Sequence, residues 1–153
     1  MKLARDLREF VELLNSARVD YVLVGGYAVA FHGYPRYTGD IDLLIRPTIE
    51  NGARLVAALE DFGFGSLEIK PETFLELETV VQLGYPPNRV DLLTSITGVD
   101  FEAVWSTRVK AQLDELSVPI IGREALLTNK RASGRAQDLA DLENLEAVSK
   151  RSP

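Results

Sequence analysis

The chain has 153 residues, enough for one domain with a proper core, and its 46% apolar and 26% charged residues exclude disordered and fibrous classes. A net charge of −6, from 23 acidic and 17 basic residues, argues against a broad nucleic-acid-coating surface and leaves room only for a local basic site. The absence of cysteine excludes disulfides, thiolate metal sites and cysteine nucleophiles and favours no redox compartment, so the expectation of a cytoplasmic location rests on negative grounds alone.

Leu3, Leu7, Phe10, Val11 and Leu14 recur at helical spacing, which predicts a helix from residue 1 to about 16 with one buried stripe. Both charge signs interrupt it every few residues, so it reads as neither a signal peptide nor a membrane span. A short β-rich run, Tyr21 to Val24, then meets Gly25 and Gly26, and the pattern predicts a strand, a tight turn and a short helix ending at Gly33.

The run Asp40 to Ile45 predicts a second strand, and Leu55, Val56 and Leu59 a helix ending near Gly63. A strand around Phe64 to Ile69 and a helical turn after Pro71 follow. Two β-rich runs on either side of Pro86 and Pro87 predict a hairpin with a longer loop, so the sheet is expected to be mixed. A short helix near Phe101 to Trp105 comes next, with Phe101, Val104 and Trp105 as core. The run ending in Pro119 reads as an edge strand, because proline cannot donate to a ladder. Two helices close the chain, and in the last one Leu139, Leu142 and Leu145 are expected to point inward. The expected organisation is a single α+β domain over 1–153, with about 1–121 forming the sheet-bearing part and about 122–150 a helical element.

The chemistry lies in the carboxylates. Residues two apart on a strand share a face, so Asp40 and Asp42 project together with Cα atoms about 6.5 Å apart, while Ile41 and Leu43 point the other way. Such a pair repels and resists desolvation unless a cation sits between them. Asp91 repeats the pattern between Val90 and Leu92. If its strand neighbours the first, three carboxylates share one face, a hard-oxygen set suited to Mg²⁺ or Mn²⁺. Each aspartate taken singly is more often a turn cap or part of a solvated face. Gly25 and Gly26 shift the balance, since backbone N–H groups at a glycine corner can receive phosphates closely. A lone glycine pair by itself usually marks only a tight turn.

The combination of an apolar-Gly-Gly turn, a spacer over residues 27 to 39, Asp-apolar-Asp and a later apolar-Asp-apolar strand resembles the nucleotidyltransferase superfamily related to DNA polymerase beta. Within it, the sequence is similar to the minimal nucleotidyltransferases of the AbiEii-like toxin group from Tyr21 to about Glu146, through the closing stretch Pro119 to Leu145. The resemblance implies a palm-like mixed sheet in which Asp40 and Asp42 hold metal ions and Asp91 completes the shell and helps deprotonate an attacking hydroxyl. It implies contacts to a nucleoside triphosphate from Gly25, Gly26, Arg36, Thr38 and Lys130. Arg135 reads either as a substrate contact or as an i, i+3 partner of Asp138. At Gln137 the chain departs from the lysine of similar sequences.

His32 is assigned no chemistry, and Tyr27, Tyr34, Tyr37 and Tyr85 are open between stacking a base and packing. The expected activity is transfer of a nucleoside monophosphate from a triphosphate to an acceptor hydroxyl on an RNA 3′ end or a protein side chain, with a cognate toxin or antitoxin as a conceivable partner and no membrane. Lys110, Lys130, Arg131 and Arg135 are the candidates for a local RNA-binding patch. A nucleotide- or partner-binding module without turnover is the alternative.

Overall fold

The computed structural model describes residues 5–35, 39–64, 68–84 and 89–151, with side chains to residue 148. Six strands form one mixed sheet in the order β3-β4-β2-β1-β6-β5. They are β1 (Tyr21–Val24), β2 (Asp40–Ile45), β3 (Val80–Leu83), β4 (Arg89–Leu93), β5 (Val109–Leu113) and β6 (Leu116–Ile120). Six α-helices accompany them among the described residues: α1 (Arg5–Ser16), α2 (Gly25–Phe31), α3 (Ile49–Phe62), α4 (Phe101–Ser106), α5 (Arg123–Ser133) and α6 (Ala136–Arg151). The fold is α+β, and none of these helices is long and apolar enough to cross a membrane.

The apolar stripe of α1 packs as its spacing requires. Leu7, Phe10, Val11 and Leu14 are buried, and Phe10 meets Phe62 of α3 edge-on at 5.3 Å between ring centroids. α3 begins where Thr48 accepts a hydrogen bond from the Asn51 N–H, and it ends at Gly63 in the left-handed conformation that glycine alone adopts without strain. Asn51 is fully buried and satisfied. Its side chain accepts from the Asp20 N–H and donates to the Asp20 and Arg46 carbonyls, tying the start of β1 to the end of β2.

Strand pairing sets the site. β2 lies between β1, antiparallel, and β4, parallel, so it is central and buried along Ile41, Leu43, Leu44 and Ile45. β3 and β4 form the expected antiparallel hairpin, and Pro71–Leu75 is a 3₁₀ turn. Pro86 and Pro87 of the connecting loop lie outside the described residues.

Three expectations change. Phe64, Glu68 and Ile69 belong to no strand, and 65–67 lie outside the described residues. β6 is not an edge strand: it runs between β1 and β5, and β5 is the edge. Pro119 is tolerated because it stands opposite Lys110 of β5, and the parallel pairing to β1 is reduced to Leu23 with Ile120, followed by the Ile121 N–H donating to the Leu23 carbonyl. In α6, Leu145 is buried and Leu142 half-buried, but Leu139 is exposed, because three-residue steps drift around a helix of 3.6 residues per turn.

Candidate active site

Register brings the carboxylates together. Asp42 pairs with Asp91 across the parallel β2–β4 ladder, and Asp40 pairs with Arg89. Paired residues share a face. One oxygen from each of Asp40, Asp42 and Asp91 lies within 4.8 Å of the others, a spacing at which a single ion could be held. Gly25 stands against this cluster at the start of α2. Its φ of +71° and the Asp42 carboxylate lying where a Cβ would go both require glycine. Gly26 follows it and is buried.

Arg89 was not anticipated. It donates to Asp40 at 2.9 Å and to Asp91 at 3.1 Å, so one guanidinium bridges two of the three acids. The signal was present in the sequence: Arg89 lies two residues before Asp91 on the same strand and hence on its face. Its Nε stands 3.1 Å from Asp91 Oδ1, yet neither of these buried atoms makes a directed hydrogen bond. That oxygen therefore retains an acceptor position that a metal ion would fill. Burial, then the charge and hydrogen bonding of Asp40 and Asp91, pushes the Asp42 carboxyl up to about 7. Burial followed by Asp40 also raises Asp91, despite Arg89. Burial pulls Asp40 upward too, but hydrogen bonds led by that from Arg89 outweigh it and leave Asp40 below the usual carboxylate range. A cation among the three would relieve this conflict. The donor set thus fits Mg²⁺ or Mn²⁺.

Beside the acids is a cavity of about 460 Å³ lined by Gly25, Asp42, Ser95, Asn129, Ser133 and Arg135. The end of α5 and Arg135, the residue before α6, form one side of it. Lys130, expected at the phosphates, ends instead in the seam between these helices, where its ammonium meets Asp138 at 3.2 Å and Asp141 at 3.1 Å and is almost fully buried. Gln137 donates to Asp141 at 3.0 Å from the same helix. Arg135 pairs with Asp138 at 2.8 Å while its side chain stays 81% exposed. Its hydrogen bond to Asp138 raises its pKa, and it also feels the charge of Asp42. Arg135 is therefore paired as the i, i+3 reading expects, and it also lines the cavity. Arg36, Thr38, Tyr37 and Tyr85 lie outside the described residues. Tyr27 and Tyr34 pack against the core, and His32 Nε2 is 2.7 Å from the Ile121 carbonyl oxygen, a packing role.

Of the basic residues considered for RNA, Lys110 stands apart from Lys130, Arg131 and Arg135, which lie at and just beyond the end of α5. Lys130 is buried, Arg131 pairs with Glu146, and Lys110 sits on β5 at the sheet's far edge from β3 and β4. A larger apolar cavity of about 500 Å³, lined by Arg46, Leu77, Val99 and Phe101, contains none of the three acids.

No family model matches the chain, and no curated protein matches it. Solved structures do. The lincosamide antibiotic adenylyltransferase LnuA, bound to lincomycin, superposes with a TM-score of 0.61 at 17% identity over 96% of this chain and 98% of that one. A putative nucleotidyltransferase of Thermotoga maritima, TM1012, gives 0.56 at 15% identity over 97% and 94%. An antigenic nucleotidyltransferase-like protein of Paracoccidioides brasiliensis gives 0.52 at 18% over 96% and 78%. The chain has the fold of these nucleotidyltransferases.

Proposed function

We propose that the chain is a divalent-metal-dependent nucleotidyltransferase that moves a nucleoside monophosphate from a nucleoside triphosphate to an acceptor hydroxyl. The observation that carries this reading is the convergence of Asp40, Asp42 and Asp91 within 4.8 Å beside the Gly25 corner, on a fold shared with nucleotidyltransferases. When bound, Mg²⁺ or Mn²⁺ supplies charge neutralisation at the phosphates and acidifies the acceptor hydroxyl.

The three aspartates would hold the metal. Gly25 makes room for the Asp42 carboxylate, and the backbone of the Gly25–Gly26 corner, with Arg36 and Thr38, would contact phosphate oxygens. Arg135 is the cation facing the cleft, held by Asp138. Lys130 acts through this seam, anchoring Asp138 and Asp141, rather than at the phosphates. The acceptor is an RNA 3′ end, a protein side chain or, given LnuA, a small molecule. Within this reading we place the chain in the AbiEii-like group and in the cytoplasm, with a cognate toxin or antitoxin as a candidate partner.

The test is incubation with Mg²⁺ and each α-labelled triphosphate in the presence of total RNA or total protein. Label should enter one fraction, and Asp42→Asn should abolish it without unfolding the chain. Labelling that persists in Asp42→Asn refutes the assignment.

Arg89 favours a second reading. A guanidinium bridging Asp40 and Asp91 neutralises the cluster without metal, as in a binding module that has lost turnover. Mn²⁺ binding followed by calorimetry separates the two, because the inactive module takes up no ion.

A further inference from the structure

Among the described residues, the outer edge of β3 is unpaired. β3 pairs with β4 on one side, and no strand among the described residues pairs with its other side. The Thr94 N–H donates to the Thr79 carbonyl, so Thr79 faces β4, and by alternation the backbone N–H and carbonyl groups of Val80 and Gln82 face outward. Edge strands are normally blunted by charge or proline, and β5 at the opposite edge carries Lys110 next to Arg108. β3 itself, Val-Val-Gln-Leu, has neither.

Two apolar side chains are displayed there, Leu77 at 63% exposure and Val80 at 52%. The surrounding charge is one-sided. Along 68–84 the exposed acids Glu68, Glu72, Glu76 and Glu78 stand against Lys70. A cavity of about 650 Å³ opens beside Leu77, Glu78 and Val80, and Ser95, Ile96 and Thr97 line both it and the cavity that contains Asp42. The same three residues therefore border both the edge and the cavity that contains Asp42.

Register gives the edge a direct relation to the chemistry. Gln82 pairs with Asp91 and Val80 with Leu93, so the exposed side chains of β3 lie on the face of the carboxylates. A strand added outside β3 would run about 10 Å from β4, two inter-strand spacings. Side chains of such a strand on that face would project from the same side of the sheet as the carboxylates.

We propose that the outer edge of β3 receives an extended, basic polypeptide segment by strand addition, and that this segment is the acceptor. The acceptor role rests on the nucleotidyl-transfer reading above. In the transfer, the side-chain hydroxyl oxygen bonds to the α-phosphorus of the triphosphate, the bond to pyrophosphate breaks with its electron pair leaving on pyrophosphate, and the hydroxyl proton is lost to water. Glu76 and Glu78 attract lysines of the incoming segment, and Leu77 and Val80 receive its apolar side chains.

The experiment uses a short fluorescent peptide alternating lysine and valine about one tyrosine, and a counterpart with glutamate for lysine. Anisotropy without nucleotide measures docking, and α-labelled ATP with Mg²⁺ measures transfer. The lysine peptide should bind about tenfold or more tightly than the glutamate peptide, and the double variant Glu76→Lys, Val80→Lys should lose a similar factor. Lys110→Glu on the far edge and Asp42→Asn should leave docking unchanged, and label should reach the tyrosine only with Asp42 intact. Equal binding of both peptides, or binding indifferent to the β3 variant, overturns the proposal. Label on added total RNA without peptide binding overturns the docking surface and leaves nucleotidyl transfer standing. Docking sensitive to the β3 variant with no label on the tyrosine overturns the acceptor role if added total RNA or total protein is labelled, and assigns the failure to the nucleotidyl-transfer reading if no acceptor is labelled with any triphosphate.

Discussion

Gly25 and Asp42 are matched to each other: the carboxylate of Asp42 occupies the place where any side chain at position 25 would begin. Position 25 also holds a φ of +71°, so two independent constraints select glycine there. Gly25→Ala should displace the Asp42 carboxylate and lower metal affinity by about 10–100-fold, the loss typical when a ligand's support is disturbed. Mn²⁺ titration of the folded variant measures this. Unchanged affinity would mean that Asp42 is not a ligand.

Stability of the metal-free protein should fall as pH rises through the neutral range. Asp42 titrates at about 7 in the fold, whereas an unfolded aspartate titrates at about 3.9. Between those values the folded chain holds more protons than the unfolded one, so each upward step in pH favours unfolding. Asp91, also raised, acts in the same direction. Asp40, lowered by Arg89, adds stability above about pH 4 that is lost only at more acidic pH, outside this window. Melts at pH 5 and pH 8 should show the lower midpoint at pH 8, with about 2–4 °C for each kcal/mol in a domain of this size. Mg²⁺ should remove most of the difference, and Asp42→Asn should show a smaller one. A wild-type midpoint independent of pH would sink this prediction.

The acids were legible because alternation makes carboxylates at i and i+2 in an apolar strand hard to explain otherwise. Which strand lay beside them was not, since pairing order is a long-range choice that the resemblance, rather than periodicity, supplied. Arg89 obeyed the same alternation with Asp91 but looked like an ordinary hairpin residue until register set it opposite Asp40. β5 escaped because Val109, Lys110 and Gln112 are exposed, leaving only Ala111 and Leu113 as a buried pattern, and Pro119 then drew the edge assignment to β6. The seam that captures Lys130 depends on how α6 docks on α5, which single-helix spacing does not encode.

Arg89 and a bound metal ion would compete for the negative charge of Asp40 and Asp91. Arg89→Met should lower the melting temperature without metal, because Asp40 and Asp91 lose their bridging cation. Added Mg²⁺ should then raise the midpoint more in the variant than in the wild type, since no guanidinium has to be displaced. The comparison is a pair of Mg²⁺ titrations followed by thermal melting. A smaller Mg²⁺ effect in the variant would show Arg89 assisting the ion rather than opposing it.

Lys130 is the only cation that an ion pair places against both Asp138 and Asp141 among the described residues, and all three side chains are nearly or fully buried. Removing one member of a buried ion cluster leaves uncompensated charge, so Lys130→Met should cost about 3–5 kcal/mol. Burial raises Asp138, but hydrogen bonds from Arg135 and Lys130 outweigh it and hold the carboxyl below its usual range. Its stabilisation is therefore present above about pH 4, the unfolded value, and disappears as pH falls through the lower folded value. Because acid protonates the carboxylates that the lysine no longer balances, the stability lost in Lys130→Met should be largest near neutral pH and smaller at about pH 3, as thermal melts followed by far-ultraviolet circular dichroism at the two pH values would show. The triple variant Lys130→Met, Asp138→Leu, Asp141→Leu, which removes the buried charges together, should recover much of the lost stability while Arg135 loses its anchor. If nucleotide affinity in that triple variant matches the wild type, the α5–α6 seam does not position Arg135 for the phosphates, and its charges serve packing alone.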